Sequence, residues 1–204
     1  MNPWFRLIRG TAHLFLRATC RIRYEGRENV PLSGGLLIVS NHLSFLDPPM
    51  VSCAMPREIH FLARKTLFKK NGFGTLIASL NSIPIDQDRP DMNGLRIIIK
   101  RLKEGNAVLL FPEGARSLDG LPLPAASGAG LVAAKAGMPI LPVRLFGSYE
   151  AFPRSTPERK GKFTPHPLRV VIGKPYTPDF KAFSGKDGYQ HLADEMMAKI
   201  AALS

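Results

Sequence analysis

The chain reads as an α/β protein: a mostly parallel central sheet flanked by helices, with an amphipathic helix at its N-terminus. Three observations predict this. Strand-like and helix-like segments alternate along the 204 residues, the pattern of parallel strands joined by crossover helices. Several strand-like segments are continuous apolar runs, as in strands covered on both faces. Polar clusters follow three of those runs directly, at the carboxyl ends where such folds gather their reactive groups.

The elements follow in order. In PWFRLIRGTAHLFLRATCRIR, from Pro3, a helical wheel puts Trp4, Leu7, Ile8, Thr11, Leu14, Phe15 and Ala18 on one broad face. Arg6, Arg9, His13 and Arg17 lie opposite, and Pro3 suits a first helical turn. Trp opposite an arginine stripe is the pattern of a helix lying in a membrane interface. A helix packed on its own domain is the other reading. Arg21–Tyr24 is a short strand. The run LLIVS makes Leu36–Ser40 a buried strand, and Pro48 opens a helix to Ala54. Strand Ile59–Ala63, helix Phe73–Leu80, strand Ser82–Ile85 and helix Asn93–Leu102 come next. Strand Ala107–Phe111, helix Ala129–Ala136 and strand Ile140–Phe146 follow. Phe152–Pro167, with four prolines and several basic residues, is the clearest surface loop. Strand Leu168–Ile172 and helix Gly188–Ala202 complete the chain. Residues 1–20 are expected to dock on a membrane and residues 21–204 to form one domain.

Composition narrows the function. The hydrophobic content of 45% fits a globular protein, and the net charge of +12 favours a polyanionic partner. Nucleic acid is excluded, because no helix-turn-helix, zinc-finger or RNP-like pattern is present and the basic residues are spread along the chain. An anionic membrane surface suits the N-terminal helix better. No apolar run is long enough to span a bilayer, and Arg6, Arg9 and Arg17 interrupt any signal-peptide core. A retained segment and a peripheral place on the cytoplasmic face of the cell membrane are therefore expected. Cys20 and Cys53 are too few for a disulfide framework and read as packing residues. His13 lies on the basic face of the first helix. His60, His166 and His191 have no partners at ligand spacing, so no metal is expected.

Two polar clusters carry the chemistry. SNHLSFLD, residues 40–47, puts His42 and Asp47 five residues apart after a buried strand. A neutral imidazole can take a hydroxyl proton, and a carboxylate can fix its tautomer and stabilise the imidazolium. Asp47 capping the helix at Pro48, with His42 a turn residue, is the alternative. FPEGARS, residues 111–117, places Glu113 and Arg116 in a glycine-containing loop after another buried strand. Exposed amides and a guanidinium there suit a phosphate. A solvated Glu–Arg pair is the alternative.

Together, NHLSFLD and FPEGARS resemble the glycerolipid acyltransferases of the lysophosphatidate (1-acylglycerol-3-phosphate) type, which carry NHxxxxD and FPEGTRS blocks in this order. FLARKTLFK, GTLIASLNSIPIDQDR and MPILPVRLFGS match further blocks in outline, so the resemblance runs from about residue 20 to about residue 175. It implies a glycerolipid-acyltransferase-like fold and transfer of an acyl group from acyl-CoA or acyl carrier protein to the hydroxyl of 1-acylglycerol-3-phosphate, giving phosphatidic acid. The thioester is a co-substrate and no cofactor is implied. His42 is then the general base and Asp47 its orienter. Glu113, Gly114 and Arg116 bind the glycerol phosphate, with Arg64 or Lys65 reaching the phosphate from a second loop. No Gly-x-Ser-x-Gly elbow is present, and direct transfer needs none.

Two positions depart from the family pattern. Ala115 replaces a threonine. Gln87 stands where an arginine is usual, so either Arg89 takes over that contact or this loop does not grip phosphate. An acceptor with another head group, such as a lyso-amino-lipid, is the alternative, as is a non-catalytic lipid- or phosphate-binding protein on the same fold. A thioester hydrolase would use the same base on water.

Overall fold

The computed structural model describes residues 2–86, 91–156 and 160–204. Its strands are β1 (Arg23–Glu25), β2 (Leu36–Ser40), β3 (Ile59–Arg64), β4 (Ser82–Ile85), β5 (Ala107–Leu110), β6 (Ile140–Phe146) and β7 (Arg169–Ile172). Among the described residues they form one seven-stranded sheet in the order β1-β7-β6-β2-β5-β3-β4. Neighbours from β6 across to β4 pair in parallel. β7 runs antiparallel to β6 and carries β1 parallel to itself.

The helices are α1 (Pro3–Cys20), α2 (Asp47–Ala54), α3 (Lys65–Phe68), α4 (Phe73–Ser79), α5 (Met92–Lys103), α6 (Ser127–Ala136), α7 (Ser148–Ala151) and α8 (Gly185–Ala201). β2 shows why its sequence is apolar throughout. Leu36 and Ile38 enter the layer that also holds Leu16 and Cys20 of α1 and Met50, Val51 and Ala54 of α2. Leu37 and Val39 enter the opposite layer with α5, α6 and α8. All five β2 residues are buried, since period-two side chains meet helices on either face.

The expected strands are all present; β2, β4 and β6 have the expected bounds and the other four shift by one or two residues. β1 starts two residues later than expected because Arg21 takes a left-handed φ of 48° and closes α1. β5 stops at Leu110, which releases Phe111 into the site loop. α3 and α7, each one turn, were not anticipated, because a single turn carries no periodicity to read.

α1 differs from its helical wheel. The side chains that pack inward are Phe5, Leu16 and Cys20, which the two-face division had left aside. Trp4, Leu7, Leu14 and Phe15 are 45%, 61%, 68% and 48% exposed, so the face expected to meet lipid points away from the core. The helix is also tied down by polar contacts. Arg9 Nη1 donates to the Met55 carbonyl at 2.7 Å and Trp4 Nε1 to Ser79 Oγ at 2.9 Å, while the Asn2 amide contacts Glu58. No described helix is long and apolar enough to cross a membrane.

Candidate active site

The loop after β2 is held from several sides. Asn41, 6% exposed, exchanges two hydrogen bonds with the backbone of Leu145 on β6, at 2.8 and 3.0 Å. The Ser117 amide donates to the His42 carbonyl at 3.0 Å. The His42 amide donates to Glu113 Oε2 at 3.3 Å. His42 thus leaves a central strand on a segment bonded to the loop after β5 and, through Asn41, to strand β6.

Asp47 does not cap α2. Its helix starts without a side-chain cap bond, and the carboxylate turns back into the loop. Asp47 Oδ2 accepts from the amides of Leu43 at 2.6 Å and Ser44 at 2.7 Å, and lies 2.8 Å from His42 Nδ1. Asp47 is fully buried and His42 slightly open, their side chains 0% and 15% exposed. A carboxylate only accepts, so Nδ1 carries the proton and Nε2 is left with its lone pair. The ring of Phe111 stacks on the imidazole at 3.8 Å and 10°, which restrains its tilt.

His42 stands in the wall of a cavity of about 570 Å³, within the range of small-ligand sites. Phe5, Ile8 and Ala12 of α1, Pro48 and Ser52 of α2, Phe61 and Ala63 of β3, Leu76 and Ile77 of α4, and Leu80 just after it line it. Gly114, Ala115, Arg116, Arg64 and Arg154 bring backbone and charge to the same space. Gly114 adopts a φ of +70°, a conformation that glycine adopts without strain, and it carries the chain from β5 past His42.

The expected site residues separate into two groups. His42, Arg64, Gly114 and Arg116 line the cavity, and Asp47 is buried behind His42. Glu113 and Lys65 are not in the cavity wall. Glu113 is 6% exposed beneath the loop, and its carboxyl is pushed up to about 8 by burial and the nearby Asp47 charge, against amide bonds from His42 and Leu123. Lys65 pairs with Asp91 at 3.0 Å. That carboxylate caps α5 and is held well below the usual range by the amides of Asp86 and Gly94 and by Lys65. Arg89 and Gln87 lie outside the described residues.

Arg116 packs its guanidinium 3.5 Å from the centre of the Phe45 ring. Burial, and then the charge of Arg154, bring it down to about 10. Arg154 was missed by sequence reasoning. It belongs to no block, and the loop that carries it reads only as proline-rich surface. The structure ties that loop to the loop of His42, with Ser44 bridging Pro153 and Ser44 Oγ donating to the Phe152 carbonyl at 2.7 Å.

A buried carboxylate holding an imidazole lies at the strand ends of a mostly parallel sheet, beside a largely apolar cavity that also carries arginines. The chain belongs to the acyltransferase family, whose profile matches residues 21–145. It is similar to the 1-acyl-sn-glycerol-3-phosphate acyltransferase of Bacillus subtilis, 27% identical over 89% of this chain and 87% of that protein. The namesake from Helicobacter pylori is 32% identical over 80% of this chain and 68% of its own length. A chloroplastic namesake from Arabidopsis thaliana is 32% identical over 76% of this chain, which spans only 43% of that longer protein. The crystal structure of the 1-acyl-sn-glycerophosphate acyltransferase from Thermotoga maritima superposes with a TM-score of 0.79 at 28% identity, over 97% of this chain and 80% of that one. The expected α/β fold and the resemblance to the lysophosphatidate acyltransferases are both borne out.

Proposed function

We propose that this acyltransferase moves a fatty acyl group from a thioester, acyl-CoA or acyl carrier protein, to the free hydroxyl of 1-acylglycerol-3-phosphate. The observation that carries this reading is the 2.8 Å contact between His42 Nδ1 and Asp47 Oδ2 in the wall of the apolar cavity. His42 Nε2 removes the acceptor hydroxyl proton as its oxygen attacks the thioester carbonyl. The new C–O bond forms, the tetrahedral intermediate collapses, the C–S bond breaks, and the thiolate takes the proton from the imidazolium. Asp47 stabilises that imidazolium without itself being protonated. No acyl-enzyme is formed. The apolar walls hold the acyl chain and keep water from competing with the acceptor. Arg64 and Arg116 meet the acceptor phosphate.

Both substrates live in a bilayer, and the exposed side chains suit that. Phe45 and Phe73 line the cavity and are also 48% and 47% exposed. α1 lends Phe5, Ile8 and Ala12 to the cavity while Trp4, Leu7 and Leu14 face outward. The protein then sits peripherally on an anionic surface, with α1 in the interface and the lipid passing sideways into the cavity.

The test is thiol release from acyl-CoA and from acyl carrier protein, with and without lysophosphatidate, in wild type and His42→Ala. Release that needs both the acceptor and His42 is expected. Acceptor-independent release would make the protein a hydrolase. Equal turnover in His42→Ala would remove His42 as the base.

A further inference from the structure

We infer that Arg154 is a specificity-determining residue: with Arg116 it forms a two-guanidinium site that selects a phosphomonoester on the acceptor over a phosphodiester or neutral head group. This deepens, and rests on, the reading of the chain as a lysophosphatidate acyltransferase.

The first support is placement. Arg154 and Arg116 both line the cavity that holds His42. Arg154 Nη1 donates to the Arg116 carbonyl at 3.3 Å, so the two residues are held side by side. The Ser44–Pro153 bridge and the Ser44–Phe152 hydrogen bond anchor Arg154 directly to the loop of His42. Arg154 is therefore placed by the catalytic loop itself.

The second support is uncompensated charge. Among the described residues no carboxylate pairs with either guanidinium. Arg116 Nη1 is buried with no hydrogen-bond partner. Asp47 is close enough to act on Arg116, but its bonded oxygen already serves His42 and two amides. Two half-buried cations with no ion-pair partner, near a single buried carboxylate already bonded to His42 and two amides, are costly in the empty protein. A ligand carrying nearly two negative charges and three acceptor oxygens offsets both. A phosphodiester carries one charge and offsets half of it. The second cation is therefore useful only for a monoester.

The test separates this inference from the reading beneath it. Kinetics would be measured for wild type, Arg154→Ala, Arg154→Lys and Arg116→Ala, with lysophosphatidate and lysophosphatidylglycerol as acceptors. Calorimetry would give the Kd of sn-glycerol 3-phosphate for the same proteins, independent of turnover. Arg154→Ala is expected to raise KM for lysophosphatidate about tenfold, the value of one lost charged hydrogen bond. It should weaken sn-glycerol 3-phosphate to a similar degree and leave KM for the thioester unchanged. The preference for monoester over phosphodiester should collapse, and Arg154→Lys should restore most of it. Unchanged KM and Kd in Arg154→Ala would overturn the inference, as would an equal loss of kcat with both acceptors. If wild type transfers to neither acceptor, the acceptor reading fails. Calorimetry still decides Arg154: weaker binding in Arg154→Ala supports the site, and equal binding rejects it.

Discussion

Asp47 is the residue on which the proposed chemistry turns, because a single carboxylate oxygen meets one imidazole and two amides. In Asp47→Asn an amide oxygen in the Oδ2 place keeps the His42, Leu43 and Ser44 contacts, while the NH2 group falls at the buried Oδ1 place, which has no hydrogen-bond partner. The tautomer is kept but the negative charge that stabilises the imidazolium is lost. We expect kcat to fall by roughly two orders of magnitude or more, within the scale of general acid–base catalysis. A loss under tenfold, with an unfolding curve like wild type, would sink this assignment. Glu113 has a different consequence. Its carboxyl ordinarily titrates near 4.5 but is pushed up to about 8 here, first by burial. Between those values the native state binds more protons than the unfolded chain, so stability falls as pH rises through the window. The slope for one such group is about 1.4 kcal/mol per pH unit. Glu113→Gln should flatten it, which thermal unfolding from pH 5 to 8 in both proteins would reveal. Parallel slopes would refute it.

At the scale of elements, α1 has one face packed in the core and one exposed apolar face, to which the proposal gives membrane docking. Leu16 and Cys20 belong to the same buried layer as α2 and β2, so deleting residues 1–20 would disturb the core along with any docking. Point substitutions separate the two. Leu16→Ala opens a hole at a side chain only 2% exposed, and large-to-small changes in a core cost about 2–5 kcal/mol. Leu14→Glu, at a side chain 68% exposed, should leave the melting temperature within a degree or two and weaken co-sedimentation with anionic vesicles. Vesicle binding that survives Leu7→Glu together with Leu14→Glu would remove α1 as the docking element.

Over the whole molecule, 28 Lys and Arg residues against 16 Asp and Glu set the net charge of +12. Coulomb attraction to an anionic bilayer is screened by salt, with a screening length of about 10 Å at 0.1 M and about 3 Å at 1 M. Binding to anionic vesicles is expected to fall steeply across that range. Binding to zwitterionic vesicles, which rests on Trp4, Leu7, Leu14 and Phe15, should change little. Equal salt dependence on both would mean that the charge serves something other than the membrane.

The seven strands and the first helix were legible in the sequence, because buried runs such as LLIVS and the periodicity from Trp4 to Ala18 follow from local geometry and burial alone. The His42–Asp47 pair was legible for a similar reason, since five residues of loop suffice to fold one side chain back on the other. Which face of α1 packs inward depends on α2, and the sheet order depends on pairings between distant strands. The place of Arg154 depends on the Ser44–Pro153 bridge, which joins loops more than a hundred residues apart. Local pattern determines what each segment is. Long-range contact decides which segments meet, so the His42–Asp47 pair could be read from the chain, whereas the second arginine near it emerged only from the tertiary structure.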